Sequence, residues 1–176
     1  FKCKSGSNLF YNSVDPFPFL EIDSLNTSVQ SFYKSELGID SDGSYDIIVI
    51  KDKNGHYQSD RLLTIEAPKS QFKFATDLVY ARAEMLFRYQ MQVDGFKNPW
   101  LARGIPYYYK YHFVNKNYPE KKWAPLSNSI IGRFFGLDQF DYSYKNQLYY
   151  LYLARQNLDQ KMTASADSFT RGNYEA

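Results

Sequence analysis

Between Gln71 and Val114 the chain reads QFKFATDLVYARAEMLFRYQMQVDGFKNPWLARGIPYYYKYHFV. Projected on a helix, Phe74, Leu78, Val79, Ala81, Met85, Leu86, Phe87 and Tyr89 leave almost no polar side. A helix that is apolar nearly all round has to be buried. The pattern therefore predicts a buried helix over 72–91, closed by Asp94-Gly95. A second helix is expected over 99–114, opened by Pro99. Pro106 falls in its interior by count, which predicts a kink or a late start there.

The flanking chain supplies other elements. Residues 1–18 are polar and interrupted by Pro16 and Pro18, and read as a loop or extended lead-in. Phe19–Ile22 fits a short strand. Leu25, Val29, Phe32, Tyr33 and Leu37 recur at helical spacing, which predicts a helix over 24–37 ended by Gly38. The segment DSDGS (40–44) reads as a turn; as a calcium loop begun at Asp40 it has Lys51 where the closing glutamate belongs. YDIIVI (45–50) is an unbroken apolar run, the pattern of a central strand. KDKNG (51–55) carries an Asn-Gly hairpin signal, and RLLTIEA (61–67) is the next strand, stopped by Pro68. A short helix is expected over 127–135, capped by Ser127 or Asn128, and another helix over 141–158, with a polar tail from Asp159. Strands first and helices after give an α+β class, a small mixed sheet followed by a helical bundle.

Composition narrows the function. The chain has 176 residues, enough for a substantial core. Basic and acidic residues (21 and 19) are interspersed, so no basic patch for nucleic acid is indicated. No apolar run approaches the roughly 20 residues of a membrane span. Cys3 is the single cysteine, which excludes an internal disulfide and a cysteine metal cluster. His56 and His112 lie on different elements, away from ligand spacing. There is no G-x-S-x-G elbow and no phosphate-binding Gly-rich loop. The 17 Tyr and 14 Phe are unusually many, and the densest group is Tyr107-Tyr108-Tyr109 with Tyr111. Such residues serve as core or as a stacking surface for peptide or sugar.

The order of segments resembles the catalytic module of aminopeptidase-N-like gluzincin metallopeptidases, with a thermolysin-like fold. In that family a helix ending in Gly leads to a strand and then to a Gly-x-Met-Glu-Asn substrate loop. A second strand follows, then a helix bearing H-E-x-x-H and a helix opening with Trp-Leu-x-Glu-Gly. Here the corresponding segments are FYKSELG (32–38), 45–50, GHYQS (55–59), VYARAEMLFRY (79–89) and WLARG (100–104). The likeness covers residues 32 to the end, and Trp100, Leu101 and Gly104 carry most of it. It implies a peptidase-like domain over 19–176, incomplete because the family's Tyr-x-Lys-Gly motif would fall at or just beyond Ala176.

The resemblance also implies what each position would do. Zinc in this class needs two imidazoles one helical turn apart and a carboxylate from the next helix. Anchored on Glu84, the imidazole positions are Ala83 and Phe87, and the carboxylate position is Arg103, at a spacing slightly shorter than the family's. None of the three can bind zinc. The substrate-loop glutamate is replaced by Gln58. Glu84 keeps the family's identity as general base, but without a metal no acidified water faces it. Its plain role is a helix ion pair with Arg88. The expectation is a non-catalytic module with no metal and no cofactor, serving binding or scaffolding, with a protein or peptide partner and more chain around it. Gln58, Glu84, Arg103 and Tyr107 are the candidates for a vestigial groove. The alternatives are a hydrolase with atypical ligands and an aromatic-rich ligand- or carbohydrate-binding domain.

Overall fold

The computed structural model describes residues 9–11, 19–38, 45–50, 59, 61–66, 70–95, 97–122 and 125–156. The expected turns at 40–44 and 51–55, His56, Gln58 and the tail from Asp159 lie outside the described residues. The chain divides into two compact units, Phe1–Gln92 and Val93–Ala176. The class is mixed α and β, mostly helical, with one small sheet.

In the first unit, strand β1 (Leu9–Tyr11) leads through helix α1 (Phe19–Leu37) to strand β2 (Asp46–Ile50). Strand β3 (Leu62–Glu66) and helix α2 (Gln71–Met85) follow. The sheet order is β1-β2-β3, and both pairings are parallel, with Leu9 opposite Ile47 and Ile47 opposite Leu63. The expected mixed sheet is thus corrected to a parallel one. Parallel neighbours cannot be joined by a two-residue hairpin, because the second strand must begin at the same end as the first. The Asn-Gly signal therefore does not mark a hairpin between β2 and β3. Nor is Phe19–Ile22 a strand: it is the first turn of α1, and the edge strand comes from Leu9–Tyr11 inside the lead-in. The helix expected from Ser24 extends back to Phe19, and Ile22 is buried on it in register with Val29 and Phe32.

The unbroken apolar run of β2 does occupy the centre of the sheet. Helices α1 and α2 pack on each other, and α2 packs on β3. Ile22, Val29, Phe32 and Tyr33 of α1, Ile47, Leu63 and Ile65 of the sheet, and Phe74, Leu78, Val79 and Met85 of α2 form the core. Consecutive residues Leu63, Thr64 and Ile65 are all buried, as in strands covered on both faces. Ser70 caps α2, its Oγ accepting from the Lys73 backbone N–H at 3.2 Å. At the end of α1, Gly38 takes a left-handed conformation (φ 63°) and its N–H returns to the Lys34 carbonyl at 3.0 Å.

In the second unit, helix α3 (Pro99–Asn117) follows a turn built on Asp94. Asp94 Oδ1 accepts from the Lys97 N–H, and the Asp94 carbonyl accepts from the Asn98 N–H. A Cβ on Gly95 would stand 3.2 Å from that of Ala102, a tight contact that glycine avoids. Helix α3 starts at Pro99 and runs through the buried Pro106, so there is no late start; Pro106 simply withdraws one backbone donor. The helix expected over 127–135 is a 3-10 turn (Pro125–Asn128) and then α4 (Ile130–Phe134). Its cap is Ser129, whose Oγ accepts from the Gly132 N–H, in place of Ser127 or Asn128. Helix α5 (Tyr144–Arg155) begins later than the periodicity suggests. Asp141 Oδ1 accepts from both the N–H and the hydroxyl of Ser143, and this local turn holds 141–143 out of the helix. The side chains of Ile130, Ile131, Phe134 and Phe135 on and beside α4 are exposed.

Two glycines should respond with opposite sign. Nothing lies within 4 Å of a Cβ added at Gly38 or Gly104. At Gly38 the left-handed backbone alone opposes a side chain, so Gly38→Ala is expected to cost about 1 kcal/mol. Gly104 sits in the interior of α3, where Gly104→Ala is expected to add about 0.5–1 kcal/mol. Urea unfolding midpoints measure both.

Candidate functional site

The positions that the resemblance assigns to zinc begin on α2. Ala83 and Phe87 lie one helical turn apart and both are buried. Phe74, Leu78, Val79, Met85 and Leu86 are buried on the same stretch, so these two positions belong to an apolar interior. Beyond Met85 the helix widens into a π-helical turn, Leu86–Gln90, closed by the Met91 N–H on the Leu86 carbonyl at 3.0 Å. Phe87 lies in this wider turn. The residue after that closure, Gln92, has a positive φ of 52°, a conformation that costs a non-glycine residue energy.

Glu84 lies between Ala83 and Met85 but is half-buried. Its Oε1 stands 3.9 Å from Arg88 Nη1, the long limit of an ion pair. Arg88 is itself exposed and leans toward the Tyr89 ring, with its guanidinium carbon 5.9 Å from the ring centre. An exposed pair at such a distance contributes little, roughly 0–1 kcal/mol.

Arg103 and Tyr107 belong to the second unit, one helical turn apart on α3. Arg103 is exposed. Tyr107 is half-buried and stacks on Tyr111, with ring centres 6.1 Å apart, and the Lys110 ammonium lies 6.0 Å from its ring. Tyr108 stacks on His112 in the same way at 5.9 Å. The Tyr111 hydroxyl is hydrogen-bonded to the Asn146 amide, and Asn115 donates to Asp141 Oδ2 at 3.3 Å. The tyrosine-rich run is thus paired at i and i+4 along the helix, the spacing that makes helical side chains neighbours. Trp100, in the first turn of α3, is exposed. Among the described residues no three His, Cys, Asp or Glu side chains gather closely enough to hold a metal ion.

One charged group in the interior of the first unit escapes a motif reading. Arg82 is only 2% exposed. Its guanidinium carbon lies 4.1 Å over the Tyr45 ring, a cation–π contact. Burial lowers its pKa, opposed by the hydroxyls of Tyr45 and Tyr33 when ionised. The Tyr45 hydroxyl donates to Asn26 Oδ1 at 2.5 Å, and the Tyr33 hydroxyl to the Val79 carbonyl at 2.8 Å. These bonds tie α1 to β2 and to α2. The sequence did carry a signal for Arg82: on the helix it falls opposite the stripe of Lys73, Asp77, Glu84 and Arg88.

Comparison with family models, with curated proteins and with solved structures returned no match. The functional reading therefore rests on the residues themselves.

Two outcomes follow from the electrostatics. Glu84→Gln is expected to change the unfolding free energy by less than about 0.5 kcal/mol, because a half-exposed pair at this distance is weak. The measurement is the urea midpoint. Tyr118, after α3, has its pKa raised by burial first and by the Glu120 carboxylate second. A raised tyrosine pKa means that the unfolded chain ionises first, near pH 10. Stability is then whole below that pH and falls as pH rises toward the folded pKa. Tyr118→Phe should flatten this alkaline loss, read from thermal midpoints between pH 9 and pH 11.

Proposed function

We propose that this chain is a non-catalytic, aminopeptidase-like domain that serves as a binding or scaffold module. The observation that carries the reading is the burial of Ala83 and Phe87 in apolar packing at the two positions where a gluzincin helix holds its imidazoles. An alanine methyl and a phenyl ring offer no lone pair to a metal, and here they fill space that coordination would require. Glu84, the position of the general base, leans toward Arg88 on its own helix. Arg103, at the carboxylate position, is a permanent cation, which opposes a divalent ion. A carboxylate base with no metal-bound water has no acidified proton to take.

The exposed side chains of Ile130, Ile131, Phe134 and Phe135 support the interaction part of the reading, since apolar groups clustered at a surface mark contact sites more often than catalytic ones. Among the described residues no helix is long and apolar enough to cross a membrane. The partner favoured by this chemistry is a protein or peptide with its own apolar face. The finer fold assignment, a partial thermolysin-like module, belongs to the same proposal. It is supported by the ordered likeness from FYKSELG through WLARG, and by a helix followed by two strands and then two long helices.

Metal analysis and a peptidase assay test this directly. Protein dialysed against zinc and then against metal-free buffer is expected to retain well under one zinc per chain. It is also expected to give no chelator-sensitive hydrolysis of aminoacyl p-nitroanilides. One zinc per chain, with hydrolysis lost on chelation and regained on zinc addition, would contradict the reading.

A further inference from the structure

Arg82 poses a charge problem that the proposed function does not use. Its Nη1 has the Met85 thioether at 3.8 Å, a weak acceptor, and its buried Nε–H meets no acceptor at all. Among the described residues the ion pairs are Lys73–Asp77, Glu84–Arg88 and Asp94–Lys97, and none involves Arg82. On α1, Asp23, Asn26, Gln30 and Tyr33 recur at helical spacing and form a polar stripe in an otherwise apolar core. Tyr33 and Asn26 on that stripe are occupied by the Val79 carbonyl and the Tyr45 hydroxyl. Gln30 Nε2 is a second buried donor without an acceptor, and Asp23 Oδ1 is a buried acceptor without a donor.

The interior of the first unit therefore holds a cation with an unmet N–H. Water can meet the N–H, but it leaves the charge uncompensated in a medium of low dielectric, where a lone charge is costly. Losing the proton is no escape either: burial lowers the pKa, but arginine remains charged in proteins. The Tyr45 ring supplies part of the compensation, and a bound anion would supply the rest; the burial of the guanidinium admits only a small one.

We propose that Arg82 anchors a chloride-sized monovalent anion inside the first unit, between α1, the start of β2 and α2. The guanidinium Nε–H is the principal donor, and the Tyr45 ring holds the guanidinium plane in place beneath it.

The test uses the whole chain. Its thermal midpoint is followed at constant ionic strength as sodium gluconate, too bulky to enter, is exchanged for sodium chloride. A saturable rise in midpoint is expected, as for a ligand bound only by the folded state. Arg82→Met, which keeps the apolar stem, should abolish the chloride dependence. Crystals soaked in sodium bromide should show an anomalous peak within hydrogen-bond distance of Arg82 Nε. A midpoint indifferent to chloride, or one that responds equally in Arg82→Met, would overturn the proposal. So would a soak with no bromide peak, and that arm stands even if Arg82→Met does not fold. A fourth result would overturn it too: Asp23→Asn lowering the gluconate midpoint strongly in the wild-type background but not with Arg82→Met. The compensating anion would then be Asp23 itself.

Discussion

Helix α2 gives water only the narrow stripe of Lys73, Asp77, Tyr80 and Glu84, and the rest of the first unit answers to that constraint. From Phe74 to Met85 its side chains are buried almost without a break. One face is taken by β3 and another by α1. Burying each large apolar side chain contributes about 1.5–3 kcal/mol, so these contacts dominate the unit's stability. Several of the polar groups that enter this interior are tied to it. Tyr33 reaches the Val79 carbonyl, Tyr45 reaches Asn26, and Arg82 lies on the Tyr45 ring. Each bond fixes a helix or the β2 strand in register against α2.

If the proposed likeness to a metallopeptidase helix holds, the same constraint accounts for the replacement of its ligands. Inward positions of a helix can serve ligation or packing, and here Ala83 and Phe87 serve packing. The π-helical turn at Leu86–Gln90 widens the backbone where Phe87 is accommodated. The cationic Arg82 is the exception in this interior, and a residue so costly to bury calls for a compensating charge.

Much of this was legible in the sequence, for reasons that differ by element. The burial of the helix at 72–91 follows from periodicity, because its apolar residues cover most of the circumference and leave only a narrow polar stripe. The central position of β2 follows from its apolar run, and the ends of α1 and of the 94–98 turn from Gly38 and Asp94-Gly95. Pairing direction was not legible. Asn-Gly is a local signal, and local signals do not report where the next strand begins; β2 and β3 are parallel. Phe19–Ile22 is short, so strand and helix are equal on pattern, and the segment proves to be the first turn of the helix that follows it. Helix α5 begins late because Asp141 and Ser143 bond each other, a choice that helical spacing cannot reveal. Of the groove candidates, Glu84 was legible as a partner for Arg88, while Arg103 and Tyr107 belong to a second compact unit. Arg82 needed the fold, because its meaning comes from what fails to surround it.

Native-state amide hydrogen exchange measures the central claim most directly, since it reports which segment opens last. If α2 organises the first unit through packing alone, the amides of Leu78, Val79, Ala81 and Ala83 should exchange only on global unfolding of that unit. Their apparent opening free energy should equal the value from urea, with or without zinc. Exchange of those amides by local opening ahead of β2 and β3, or strong added protection on zinc addition, would contradict the account.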